Sequence, residues 1–232
     1  MEKIISEGTC IYCNETFKQS GMSRHLATHL SAMTPTKNTS FHLNIPAEEM
    51  FLHLLMDGSA TLDDLDDFLR GIWLECCGHM SSFEVKGKSY DNNWDDINTE
   101  IGEKRATKAS EIFSKEKELK YEYDFGSTTQ LQIKVMAEYP IATPEGIKLL
   151  SRNNPLKILC HSCGEKPAET ICSVCFYEEE GMFCKACAKK HKKTCSDFAD
   201  YAAMPVVNSP RMGVCAYEGG DIDTKRDGVW KA

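Results

Sequence analysis

Apolar positions along the chain change their period several times, and each change marks an element. In FHLNI, from Phe41 to Ile45, the apolar side chains fall on one face, as they do in a strand. Further on, SATLDDLDDFLRGIWLECC sets Leu62, Leu65, Phe68, Leu69 and Ile72 at helical spacing. Thr61 followed three residues later by Asp64 supplies a capping-box start, so an amphipathic helix is predicted. SSFEVKGKSY reads as a hairpin turning at Gly87. KYEYDFGSTTQLQIKVMAEY reads as two strands joined at Gly126, the second with Leu131, Ile133 and Val135 on one face. IKLLSRNN supplies one more strand. Residues 91–119 are charge-rich with weak periodicity, and a helix is expected around ATKASEIFSKEKEL.

Both ends of the chain break this pattern. Residues 8–30, GTCIYCNETFKQSGMSRHLATHL, read as a compact unit, and the polar, proline-bearing residues 31–40 read as a linker. From Cys160 to Cys195 the chain places seven of its twelve cysteines, with His161 and His191, in thirty-six residues. The last segment, 198–232, is extended by its prolines and glycines yet carries Val206, Val207, Met212, Val214 and Tyr217. It is expected to wrap back over the core as a strand, with Cys215 a buried thiol.

Composition decides what such a density of thiols means. The 232 residues are 41% hydrophobic and 27% charged, the balance of a soluble globular protein, and suffice for one core with satellites or for two domains. No stretch approaches the roughly 18 apolar residues that cross a bilayer, so no membrane contact is expected. MEKIISEGTC lacks the apolar core of a secretory signal, so a cytoplasmic location is expected, where disulfides are rare and close-set cysteines bind metal. The net charge of −8 repels phosphate backbones on average, so any nucleic-acid contact needs a local basic patch.

In the first unit two residues separate Cys10 from Cys13, three separate His25 from His29, and eleven lie between the pairs. Histidines at i and i+4 share a helix face, so all four side chains can reach one ion. Phe17 and Met22 sit where so small a unit needs its only core, and zinc would supply the folding energy. Residues 1–30 resemble the two-Cys two-His zinc finger, a ββα unit. That alignment puts Lys18, Gly21 and Arg24 at the base-reading positions, but one finger covers only about 3 base pairs.

The cysteine block resolves into four pairs: Cys160 with Cys163, Cys172 with Cys175, Cys184 with Cys187, and His191 with Cys195. Eight ligands make two tetrahedral sites. KACAKKHKKTC reads as a helix, and eight residues of helix rise about 12 Å. Sulfurs on one zinc lie within about 4 Å of each other, because Zn–S is about 2.3 Å. An interleaved scheme follows, with Cys160, Cys163, Cys184 and Cys187 on one ion and Cys172, Cys175, His191 and Cys195 on the other. Residues 158–197 resemble the cross-brace modules of the B-box, MYND and HIT-finger type, which bind proteins and keep their zinc closed to water. His161 is read as a bystander. The run Lys189, Lys190, Lys192 and Lys193 offsets thiolate charge, contact with phosphate being the competing role.

Between these ends, WLECCGHMSSFEVKGKSY and YEYDFGSTTQLQIKV carry a second resemblance. Trp73, His79, Phe83 and Tyr90, then Tyr121, Tyr123, Asp124, Phe125 and Gly126, match signatures of the plasmid open-reading-frame-three family, also labelled insertion-element passenger proteins. Ser81, Ser127, Thr129 and Leu131 depart from it, standing where the family pattern has His, Asp, Trp and His. The resemblance spans residues 41–157 and implies an α+β domain; with the hairpins above, that is an antiparallel sheet with helices. His79 and Asp124 suggest a base and its orienter, set against a plain reading in which Tyr121, Tyr123 and Phe125 lie in a strand and His79 is partly buried beside Met80. Asp63, Asp64, Asp66 and Asp67 serve the helix macrodipole and solubility rather than a metal. Cys76 and Cys77, adjacent and without partners in sequence, are expected to be small core residues.

The expectation is a non-catalytic interaction protein holding three structural zinc ions, with a protein partner. Its rivals are a nucleic-acid or ribonucleoprotein binder using Lys18, Arg24 and the lysines Lys189, Lys190, Lys192 and Lys193, and an enzyme centred on His79 and Asp124.

Overall fold

The computed structural model describes residues 6–91, 105–178 and 180–231. Residues 92–104 of the charge-rich stretch 91–119 therefore lie outside the described residues. The chain divides into two compact units, one built from residues 5–70 and 78–153, the other from residues 71–77 and 154–232.

The first unit carries β1 (Glu7–Cys10), β2 (Thr16–Lys18), α1 (Gln19–Ser31), β3 (Ser40–Ala47), β4 (Met50–Asp57), α2 (Leu62–Leu69), β5 (Ser81–Val85), β6 (Lys88–Asp91), α3 (Ala109–Ile112), β7 (Glu118–Tyr123), β8 (Thr129–Tyr139) and β9 (Ile147–Asn153). Nine strands form one sheet in the order β2-β1-β9-β4-β3-β8-β7-β5-β6, antiparallel at every pairing. The class is α+β. The β5–β6 hairpin turns through Lys86 and Gly87, both at positive φ, as a tight two-residue turn requires. Thr61 and Asp64 close the capping box that starts α2, and the chain continues as a π-helical turn, Arg70–Leu74. β4, MFLHLLMD, is buried at all eight positions. The helix expected around ATKASEIFSKEKEL is only the one turn of α3, because Glu116 stands at φ 66 and the chain from Glu118 pairs with both β5 and β8.

The N-terminal ββα unit is part of this sheet. Gly8, Thr9 and Cys10 pair with Asn153, Arg152 and Ser151 of β9. One face of α1 buries Met22, Leu26 and Leu30 against Phe51, Leu55, Tyr139, Ile141 and Leu150. The expectation that Phe17 and Met22 are its only core is thus corrected, because the sheet lends it a larger one. Leu26→Ala is expected to cost about 2–5 kcal/mol in the whole first unit. Urea unfolding followed by a probe in β7 or β8 checks this; an unchanged midpoint would mean that the ββα unit is energetically independent.

The second unit carries β10 (Thr170–Cys172), β11 (Met182–Phe183), α4 (Lys185–His191), α5 (Ser196–Asp200) and β12 (Ala203–Pro205), with its three strands in the order β11-β10-β12. Its core is small. Phe183, Phe198 and Ala202 pack among the cysteines, and Ala168, Ile171, Met182, Met204 and Val206 form a second cluster. The tail forms β12 and then turns. It is tied to the segment 71–77 where the Asp221 N–H donates to the Gly71 carbonyl and the Ser209 hydroxyl to the Trp73 carbonyl, at 2.7 and 2.6 Å.

Candidate metal centres

Among the described residues, three Cys/His tetrads, each within one unit, are capable of holding a metal ion, the ligand atoms of each within 4.8 Å of one another. The first is Cys10, Cys13, His25 and His29. The turn after β1 is closed by the Asn14 N–H on the Cys10 carbonyl at 2.9 Å, with Asn14 at φ 60, and the Tyr12 N–H points at Cys10 Sγ from 3.4 Å. One helical turn of α1 separates the imidazoles. Their Nε2 atoms are 3.2 Å apart, and Cys13 Sγ is 3.3 Å from His25 Nε2. Tetrahedral zinc with these bonds has ligand–ligand edges of about 3.3–3.8 Å, so the side chains already sit at its corners. Burial, and then His29, lower the pKa of His25, favouring the neutral ring that a metal binds.

In the second unit the structure brings together the interleaved groups. Cys160, Cys163, Cys184 and Cys187 form one; Cys172, Cys175, His191 and Cys195 form the other. Cys184 precedes α4, Cys187 lies in its first turn, and His191 and Cys195 reach the second group from its end. Gly164 at φ +67 makes the turn after Cys163, and its N–H donates to the Cys160 carbonyl at 2.8 Å. Backbone N–H groups of Glu165 and Lys166 hold the Cys163 thiol down to about 7, and the N–H of Cys187 lowers that of Cys184. Burial and the neighbouring thiols Cys172 and Cys195 push Cys175 up to about 12. Crowded thiols of this kind are relieved by a cation. Cys175 Sγ and Cys195 Sγ stand 3.9 Å apart, and the Phe198 N–H points at Cys195 Sγ from 3.4 Å. His191 is stacked on Phe183 and meets the edge of Phe198, and its Nε2 is buried with no hydrogen-bond partner among the described residues. A ligand lone pair fits that atom, so the donor set suits a soft divalent ion. His161 is exposed and belongs to neither group, and Lys189, Lys190, Lys192 and Lys193 are exposed around the end of α4.

Within the second unit Cys76, Cys77 and Cys215 also come together, which was not expected from sequence: Cys77 Sγ is 3.5 Å from Cys215 Sγ and 3.7 Å from Cys76 Sγ. Cys76 and Cys77 are not core residues, and Cys215 is not a buried thiol. Cys76 is half-buried and the other two are exposed, because the helix ends at Leu74 and the thiols no longer follow its inward face. The signal available in sequence was the adjacent Cys pair, whose third thiol lies 138 residues away.

Elsewhere in the first unit, His79 Nδ1 lies 3.6 Å from Asp124 Oδ1. Tyr121 and Tyr123 are buried in β7, whereas Phe125 lies past its end and is exposed. The acidic run in α2 has two roles rather than one. Asp64 caps the helix, but Asp66 is buried: Arg70 and Arg105 pair with it at 2.6 and 3.0 Å, and the hydroxyls of Tyr121 and Ser81 donate to it at 2.5 and 2.7 Å. Burial raises its pKa, yet Arg105, Tyr121, Arg70 and Ser81 outweigh burial and hold it below the usual carboxylate range.

No helix among the described residues is long and apolar enough to cross a membrane. No protein with a curated description matches the chain. Among solved structures, the crystal structure of the protein of unknown function MM3350 from Methanosarcina mazei Go1 is similar at 19% identity and a TM-score of 0.38, over 47% of this chain and 65% of that one. This chain thus spans just under two thirds of that protein's length. Residues 40–199 match the family described as plasmid pRiA4b ORF-3-like protein, and since this is more than half of the sequence, the chain belongs to that family.

Proposed function

We propose that the protein is a non-catalytic, zinc-dependent interaction protein. Three zinc ions would be structural, held by Cys10, Cys13, His25 and His29 in a finger, and by the two interleaved groups of a cross-brace module. The supporting observation is that each tetrad offers four protein ligands to one point. A tetrahedral ion held in this way has no position left for water, and so cannot generate a hydroxide nucleophile. The thiol usage fits a reducing, cytoplasmic setting. A protein partner is favoured by the exposed side chains of the second unit: Tyr177 is 76% exposed and Tyr201 66%, and aromatic residues are enriched in interfaces. The exposed lysines Lys189, Lys190, Lys192 and Lys193 favour a second reading, nucleic-acid binding, which the net charge of −8 opposes.

The test is a pull-down with zinc retained, run in parallel with Tyr177→Ser/Tyr201→Ser. A partner held by the parent and lost by the double variant, with no RNA or DNA binding at low salt, is the expected result. Equal capture by both proteins would remove these tyrosines from the interface. Nucleic-acid affinity that falls steeply with added salt would install the second reading.

A further inference from the structure

We propose that Cys77 and Cys215 are a redox-sensitive pair, oxidised to a disulfide by hydroperoxides and returned to thiols by reductants. Both belong to the second unit, Cys77 closing the segment 71–77 and Cys215 lying in the tail, 138 residues further on. Nine of the twelve cysteines belong to the three tetrads, which leaves this pair and Cys76. Cys77 and Cys215 are exposed, so a small oxidant reaches them, whereas Cys76 is half-buried. Their sulfurs stand 3.5 Å apart, and a disulfide needs about 2.05 Å. Rotation of two exposed side chains closes the remaining 1.5 Å or so.

The two segments are held together before any oxidation. The Gly71 and Trp73 carbonyls accept from the Asp221 N–H and the Ser209 hydroxyl, at 2.7 and 2.6 Å, on either side of Cys215 in the tail. Cys215 and Ala216 are consecutive non-glycine residues in the left-handed region, at φ 48 and 56, a conformation that costs free energy and is retained where neighbouring structure demands it. A Cys77–Cys215 bond therefore captures an arrangement that the thiols already have. A Cys76–Cys77 bond does not compete with it. Adjacent Cα atoms across a trans peptide are about 3.8 Å apart, short of the roughly 4.4–6.8 Å that disulfides span. The Cys76 sulfur instead meets the buried guanidinium of Arg211, whose Nη2 points at it from 3.7 Å.

The chemistry runs in two balanced steps. The Cys215 sulfur attacks the peroxide: an S–O bond forms, the O–O bond breaks, and the departing water or alcohol takes the thiol proton, leaving a sulfenic acid. The Cys77 sulfur then attacks the Cys215 sulfur: the S–S bond forms, the S–O bond breaks, and hydroxide leaves as water with the Cys77 proton. Two thiols lose two electrons and two protons, and the peroxide is the species reduced. Cys77 is suited to the second step. Hydrogen bonding with Cys215, and then with Cys76, pushes its pKa up to about 12, so it holds its proton while Cys215 is a thiol. Oxidation of Cys215 removes the larger of these causes and readies Cys77 to attack. In a reducing compartment such a bond is transient, which suits a sensor rather than a structural staple.

The experiment treats the full-length protein, purified in reducing buffer with its metal retained, with an equimolar amount of hydrogen peroxide, and reads the intact mass and a non-reducing peptide map. A loss of two hydrogens per chain, a crosslink between the peptides that carry Cys77 and Cys215, and return of the original mass with dithiothreitol are the expected results. Under the same treatment Cys215→Ser should form no crosslink at Cys77, and Cys76→Ser should form it as the parent does. Should either variant not fold, the map of the parent decides alone. A crosslink at any other pair of cysteines, a gain of oxygen without a crosslink, or an unchanged mass overturns the inference.

Discussion

Cys184→Ser should cost the protein two of the proposed zinc ions rather than one and unfold much of the second unit. Cys184 is 2% exposed and immediately precedes α4, and that helix carries Cys187 for one ion and His191 for the other. Losing one ligand of the first ion releases the start of the helix, and the second ion depends on the helix end. Structural zinc contributes about 10–16 kcal/mol in small zinc-dependent folds, as much as or more than the whole 5–15 kcal/mol stability of an ordinary domain. Around the two tetrads the apolar reserve is thin, since Phe183, Phe198 and Ala202 cluster with the cysteines themselves. Zinc analysis with limited proteolysis checks the claim. Cleavage should appear within residues 158–205, while the nine-stranded sheet resists. Loss of a single ion with no new cleavage would show that the two sites are independent.

Asp66→Ala is the second large effect, expected to destabilise the first unit by about 3–5 kcal/mol, because it leaves Arg70 and Arg105 without their buried counter-charge. Asp66→Asn keeps the shape and removes the charge, and should cost a large part of the same amount. The sign with pH follows from the depressed pKa. The unfolded carboxyl titrates near 3.9 and the folded one below it, so the stabilisation is complete above about pH 4 and is lost as the pH falls through the folded value. Urea midpoints of parent and variant should therefore differ fully at pH 7 and converge below pH 4. A difference at pH 7 that stays under about 1 kcal/mol would show that this ion cluster is dispensable.

These two cases also mark what the amino-acid order could reveal. The spatial grouping of the side chains from Cys160 to Cys195 was legible because a helix limits which of them can meet at one point, and that limit is written in spacings of two and three residues. β3, the β5–β6 hairpin, β7, β8 and β9 were legible through two-residue alternation and their turns. β4 was not, because a strand buried on both faces has no alternation to display. Asp66 read as one more exposed acid of a first helical turn; its burial depends on Arg105 and Tyr121, far away in sequence. Cys76 and Cys77 read as core thiols for the same reason, their neighbour Cys215 lying 138 residues on. Local periodicity finds what one element can do alone, and these sites are made by several.

The pairing of β1 with β9 has one more consequence. A strand at the margin of a sheet offers unpaired N–H and C=O groups that can recruit a second chain into fibrils. Here the margins are the three-residue β2 and the four-residue β6, both too short to be good templates, while the seven-residue β9 lies inside. The N-terminal ββα unit therefore covers the sheet's margin, and an ion held by Cys10, Cys13, His25 and His29 would protect the chain against aggregation as well as against unfolding.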